Sequence, residues 1–120
     1  MGTFKIPVTI LNPSDATRSW TGDFLVDTGA IDTLVPTSRL EAMGIHVRML
    51  KKYRMADGST VELKTGTIEV AIENHIVGVT AMFGDENATP LLGATAMESL
   101  GIVVDSSNKK IGWLNAIDLA

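Results

Sequence analysis

The chain has 120 residues, 45% of them apolar, enough for one compact core and too few for a second, so residues 1–120 are expected to form a single domain. Ten Lys and Arg against 14 Asp and Glu leave a net charge of -4, which argues against a sequence-independent grip on nucleic acid or anionic lipid. With no cysteine and only two histidines, His46 and His75, there is no disulfide framework, thiolate zinc site, cysteine nucleophile or histidine cage, and chemistry must rest on carboxylates or hydroxyls.

Met1 to Val8 carries no basic stretch followed by an apolar run, and no window approaches the roughly 18 apolar residues of a membrane span, so a cytoplasmic location away from membranes is expected. Phe4, Ile6, Val8 and Ile10 alternate with Lys5, Pro7 and Thr9, the pattern of a strand with one buried face. Asn12-Pro13-Ser14-Asp15 breaks that run. From Trp20 a second run places Trp20, Gly22, Phe24 and Val26 on one face, and a loop of roughly seven residues between the runs suits a hairpin. Thr37 to Val47 then reads as a short helix leading into a strand. The basic run His46, Arg48, Lys51, Lys52 and Arg54 reads as a solvated face. Asp57-Gly58, inside an extended stretch, is a type I′ turn signal, which makes Asp57 first of all a turn former. Ile68, Val70 and Ile72 alternate with polar residues, turn at Asn74-His75 and return through Val77, Val79, Ala81 and Phe83, the clearest hairpin in the chain. Asn87-Ala88-Thr89, followed directly by Pro90, reads as a loop.

Ala94 to Val104 aligns without gaps on Thr37 to Val47, 57 positions earlier. Each copy offers a hydroxyl N-cap (Ser38, Thr95), a glutamate three residues on (Glu41, Glu98) that would complete a capping box, and a glycine (Gly44, Gly101) for a left-handed helix end. A duplicated strand-loop-helix-strand unit accounts for the match.

Phe24-Leu25-Val26-Asp27-Thr28-Gly29-Ala30 sets a carboxylate at the end of an apolar strand, before a small hydroxyl residue and a glycine that permits a sharp turn and close approach. No Lys or Arg lies near Asp27 in sequence, which suits a carboxyl that holds a proton rather than a salt bridge. As a bare tripeptide, Asp-Thr-Gly also describes an ordinary turn.

Asp27-Thr28-Gly29-Ala30 ahead of Thr33-Leu34-Val35-Pro36 resembles the active-site loop of the retropepsin-like (retroviral-type) aspartic proteases. Pro90-Leu91-Leu92-Gly93 resembles that family's second signature, and the Asp57-Gly58 hairpin falls between the two, where the family carries its flap. The likeness runs from about Phe4 to Leu114 and is strongest to stand-alone cellular and bacterial members. Many viral members carry an acid where Ile31 stands and an arginine or asparagine where Ala94 stands. Those two side chains interact near the viral dimer contact, so their joint replacement leaves no polar group unpaired.

The resemblance implies an all-β fold, a small closed or partly open barrel with one or two short helices and a flap hairpin, acting as a homodimer. It implies an aspartic endopeptidase in which Asp27 of each subunit forms a dyad, Thr28 braces the loop, and Gly29 presents backbone to an extended peptide. Ala30, Ile31, Leu34 and Leu91 would line pockets, with Asp57 and Gly58 on the flap, although core packing is an equal expectation for Leu34 and Leu91. No metal or organic cofactor is implied. The apolar C-terminal run Ile111, Trp113, Leu114, Ile117 and Leu119 is the expected terminal contribution to the dimer, or else intramolecular core. Two other readings fit the residues: an idle dimeric peptide-binding or scaffolding module of the same fold, and an unrelated barrel in which Asp27-Thr28-Gly29 is only a turn. The undegraded Asp27 to Ala30 loop speaks against the first, and Leu91-Leu92-Gly93 against the second.

Overall fold

In the computed structural model, which describes residues 3–120, the first alternating runs form an antiparallel hairpin of β1 (Lys5–Asn12) and β2 (Asp15–Val26). Met1 and Gly2, the first residues of the expected unit, lie outside the described residues. The connection is tighter than the alternation suggests. Asp15 to Ser19 extend β2 with no buried side chain, so Pro13 and Ser14 alone make the turn, and the register slips between Leu11 and Asn12. Val8, Ile10, Phe24 and Val26 are buried, as expected of their faces.

After β2 come β3 (Thr33–Pro36), α1 (Thr37–Ala42), β4 (Met49–Arg54), β5 (Thr60–Ile72), β6 (His75–Gly84), β7 (Leu91–Leu92) and α2 (Ala94–Leu100). The chain ends with a separate hairpin of β8 (Ile102–Asp105) and β9 (Lys110–Trp113). The main sheet runs β1-β2-β7-β3-β6-β5-β4, and a further pairing of β1 with β5 closes its first six strands into a ring. Ring closure leaves few free strand edges. Its interior holds the core, where Ile10, Phe24, Val35, Leu40, Ile68, Val70 and Leu92 have no exposed surface.

β5 and β6 turn through Glu73 and Asn74, one residue earlier than the expected Asn74-His75, and both take positive φ (48° and 75°), the primed geometry that suits the twist of a hairpin. The β4–β5 hairpin departs from expectation. Met55 O accepts from Gly58 N at 3.0 Å and only Gly58 has positive φ (89°), so the turn is type I followed by a left-handed glycine rather than type I′. Asp57 accepts from Ser59 N (2.9 Å) and Ser59 Oγ (2.6 Å), and this side-chain closure takes the place of a second left-handed residue.

The helix ends are half as expected. Gly44 and Gly101 take φ of +76° and +80° and close their helices in the left-handed conformation. The capping boxes do not form. Pro36 and Gly93 hold the N-cap positions, ahead of Ser38 and Thr95, and neither helix has a side-chain cap from its own first turn. Distant groups serve instead: Glu86 Oε1 accepts from Ser38 N at 3.1 Å, while Ala30 O and Ile31 O accept from Ala94 N (2.7 Å) and Thr95 N (3.1 Å). After α1 the chain runs irregularly to Met49 rather than directly into a strand.

The duplication is written in the strand register. β2 pairs with β7 through Leu25↔Leu91 and Val26↔Leu92; moved by the repeat interval of 57, these become Met82↔Leu34 and Phe83↔Val35, which are the observed pairs of β6 with β3. Leu34 pairs with Leu91, its own repeat equivalent, so the local two-fold passes between them.

Candidate active site

The loop from Asp27 to Asp32 leaves the end of β2 and is held from three sides by the β7–α2 junction. Asp27 N donates to Leu92 O at 3.2 Å, Ala30 and Ile31 supply their carbonyls to the first amides of α2, and Gly93 N donates to the buried Thr33 Oγ1 at 3.2 Å. Gly93 is fixed by space: a Cβ there would lie 2.6 Å from the Asp32 carbonyl carbon and oxygen. The second signature therefore serves as the clamp of the first.

Asp27 is half-buried, with Oδ1 accepting from Gly29 N at 2.9 Å. Among the described residues no hydrogen bond reaches its Oδ2 and no cation pairs with it. One oxygen is thus oriented by backbone while the other is free to exchange protons or accept from a ligand. Thr28 and Gly29 are exposed beside it, and Ile31 keeps 60% of its surface in solvent.

A cleft of about 370 Å³ lies between this loop and the β4–β5 hairpin. Gly29, Ala30, Ile31 and Leu34 line one side, and Tyr53, Val61 and Leu63 the other. The structure thus brings four of the expected site residues together, while Asp27 and Thr28, on the same loop, do not themselves line the cleft. Leu91 is half-buried in the sheet beside Leu34 and does not line the cleft; Asp57 and Gly58 stand exposed at the hairpin tip, also outside it. Leu34 lines the cleft and also packs, its side chain lying 3.0 Å from where a Cβ on Gly84 would be.

The basic run reads as a solvated face, which His46, Arg48, Lys52 and Arg54 are, but Lys51 departs from it. Lys51 and Tyr53 share the inward face and reach Asp32, whose Oδ2 accepts from Lys51 Nζ at 2.7 Å and Tyr53 Oη at 2.6 Å. Asp32 is 6% exposed, and these two donors satisfy its Oδ2. Burial, with the Asp32 hydrogen bond and charge adding to it, pushes the Tyr53 phenol well above its ordinary range, which keeps it a donor. These three side chains tie the loop to the hairpin. The available signal was an acid two residues beyond Ala30 combined with Lys51 and Tyr53 at strand spacing.

Among the described residues no three His, Asp or Glu side chains gather as a metal site, and no helix is long and apolar enough to cross a membrane. Of the C-terminal run, Ile111 and Trp113 pack against the core, while Leu114, Ile117 and Leu119 are 52%, 56% and 102% exposed.

Residues 8–96 match the family described as "Aspartyl protease". No curated protein matches the chain in sequence. Among solved structures, the fold is similar to EIAV protease in complex with the inhibitor HBY-793, at 17% identity and TM-score 0.55 over 83% of this chain and 89% of that one. It is similar to a retropepsin-like aspartic protease from Rickettsia conorii, at 24% identity and TM-score 0.56 over 87% and 77% of the two chains. It is also similar to the retroviral protease-like domain of Ddi1 from Leishmania major, at 14% identity and TM-score 0.58 over 97% and 91%. At these identities the likeness establishes the retropepsin-like fold.

Proposed function

The chain belongs to the aspartyl protease family, and from that premise we propose that it is an endopeptidase whose active site is completed by a second copy of itself. The observation that carries this reading is the Asp27 carboxyl: oriented by Gly29 N at 2.9 Å, half-buried on the loop whose Gly29, Ala30 and Ile31 line an apolar cleft, with one oxygen uncommitted among the described residues. One such carboxyl does not suffice. Hydrolysis of a peptide by this chemistry needs two sharing a proton, and each chain supplies one such loop, so a symmetric homodimer places Asp27 against its mate.

The ionised member of the dyad takes a proton from water as the water oxygen bonds to the peptide carbon, and the neutral member gives its proton to the carbonyl oxygen. The resulting tetrahedral diol collapses as the C–N bond breaks, the carboxyl that took the water proton giving it to the leaving amine nitrogen while the other takes a proton from a diol hydroxyl. Thr28, exposed beside the carboxyl, braces the loop across the two-fold, and Gly29 offers backbone to the peptide. The β4–β5 hairpin acts as the flap, with Asp57 and Gly58 at its tip laid over an extended chain. Ala30, Ile31 and Leu34 favour apolar residues beside the scissile bond, with Leu91 shaping the pocket from behind Leu34. The chemistry calls for no metal or organic cofactor, residues 1–120 act as one domain, and the reading fits a cytoplasmic enzyme. Exposed Leu114, Ile117 and Leu119 supply apolar surface for the dimer contact.

The direct experiment measures cleavage of a peptide library, and binding of a statine-type transition-state mimic, by the wild type and Asp27→Asn. Cleavage and tight binding that both depend on Asp27 support the reading. A folded wild-type dimer that neither cleaves the library nor binds the mimic would identify an idle module.

A further inference from the structure

The far end of β2 carries a feature that the cleft does not use. Asn12, Arg18, Gly44, His46 and Arg48 line a groove of about 580 Å³ where the β1–β2 turn meets the end of α1. A second groove of about 280 Å³ adjoins it, lined by Arg18, Trp20 and Arg39. Arg18 belongs to both. The chain has four arginines in all, and three of them line these two grooves, while no Asp or Glu lines either. In a protein of net charge -4 this is a local reversal of sign.

The arrangement is built rather than incidental. Arg18 Nη2 donates to Ala42 O at 2.8 Å, and a Cβ on Gly44 would fall 2.3 Å from Arg18 Nη1, so the guanidinium lies in space that only glycine leaves open. Asn12 Nδ2 meets the neighbouring helix carbonyl, Met43 O, at 2.9 Å. The carbonyl end of α1 is thereby satisfied, and among the described residues the remaining Arg18 donors meet no other hydrogen-bond or ion-pair partner. Asp15, whose carboxylate senses Arg18, is turned onto Thr17, accepting from its N (3.1 Å) and Oγ1 (2.6 Å). Arg48 contributes its backbone N–H to Thr65 O and leaves its side chain exposed.

We propose that the two grooves sharing Arg18 form an exosite for an acidic stretch of polypeptide, its carboxylates taken by Arg18, Arg39 and Arg48 with His46 at the rim. Guanidinium pairs with carboxylate in a fork geometry, and successive acidic side chains match cations strung along a groove better than one small anion does. Nucleic acid is disfavoured by the net charge and because Arg39 stands 4.9 Å over the Trp20 ring, covering the face on which a base would stack. Arg18 lies nine residues from Asp27, about 30 Å of extended strand, so a chain held here is anchored away from the cleft. Its use to hold a substrate rests on the endopeptidase reading; the binding itself does not.

The test is fluorescence anisotropy of labelled hexaglutamate with the 120-residue Asp27→Asn protein, in which the proposed dyad is removed so that the probe stays intact. Saturable binding that weakens as salt rises, and falls at least about tenfold in Arg48→Glu and in Arg18→Gln, supports the exosite. Circular dichroism checks that each variant is folded; Arg48→Glu disturbs no side-chain bond and keeps the test sharp if Arg18→Gln unfolds. Several results overturn the proposal: no saturable binding, binding indifferent to Arg48→Glu, equal loss in Lys110→Glu, whose residue lines neither groove, displacement by equimolar inorganic phosphate, or tighter binding of a single-stranded oligonucleotide.

Discussion

Removing one oxygen from the cleft, in Tyr53→Phe, asks whether the tie between loop and hairpin is structural glue for the site. The phenol donates at 2.6 Å to a carboxylate whose side chain is only 7% exposed, and a hydrogen bond to a charged group contributes about 1.5–3 kcal/mol. Lys51 donates to the same oxygen at 2.7 Å, but its side chain is 38% exposed, so its share is screened to roughly 0.5–1 kcal/mol. Tyr53→Phe is therefore expected to destabilise by about 1.5–3 kcal/mol, a fall in Tm of roughly 5–12 °C, and Lys51→Met by less. Asp32→Asn removes the charge while keeping an acceptor, so in that background the same Tyr53→Phe change should cost only about 0.5–1.5 kcal/mol.

The assay is thermal unfolding by circular dichroism of the four combinations at one protein concentration, with peptide turnover alongside. The turnover should show KM rising more than kcat falls, because the hairpin loses its tether while Asp27 keeps its place. The alkaline limb offers a second reading. The folded phenol titrates above its ordinary value of 10.0, so its contribution is complete below about pH 10 and is lost as pH rises beyond that, when the unfolded chain releases the proton first. Tyr53→Phe should flatten that decline. A variant as stable as the wild type, or one destabilised by the same amount whether or not Asp32→Asn is also present, would refute the reasoning.

Asp27→Asn should abolish cleavage with unfolding unchanged, whereas Asp57→Asn should retain it, because Asp57 is bonded to Ser59 and outside the cleft; turnover of a defined peptide distinguishes them. Specific activity should fall on dilution below the dimer dissociation constant, and sedimentation of a fully active monomer would exclude the shared dyad. Gly93→Ala should destabilise by about 1–3 kcal/mol or more and lower activity as well, since its methyl would displace the Asp32 carbonyl now 2.6 Å away; a Tm within a degree of wild type would contradict that geometry.

The hairpins were legible because each has one face in the core: Val8, Ile10, Phe24 and Ile68 to Ile72 keep period two where burial enforces it. Asp15 to Ser19 were not, since that part of β2 buries nothing and leaves no periodic trace. The capping boxes failed for a related reason. Ser38 and Thr95 offered local partners, but Glu86 and the carbonyls of Ala30 and Ile31 arrive from far along the chain, and long-range pairing carries no spacing signal. Of the site, the Asp27 loop and its clamp were readable as contiguous segments. The Asp32 tie needed a strand from elsewhere to bring Lys51 and Tyr53 to it.

The repeat also bears on the proposal that each chain supplies half of a dyad. Carried through the register, the equivalent of Asp27 in the second copy is Gly84, at the end of β6 as Asp27 follows the end of β2. Gly84 has no carboxyl, and a side chain there would begin 3.0 Å from Leu34, which lines the cleft. The second copy has instead become the support of the first: Gly84 O accepts from Thr37 Oγ1 at 2.8 Å, and Gly93 packs against Asp32. Duplication thus supplied the clamp rather than the second acid. A dyad then requires the operation that the chain has not performed internally, a two-fold relating whole copies.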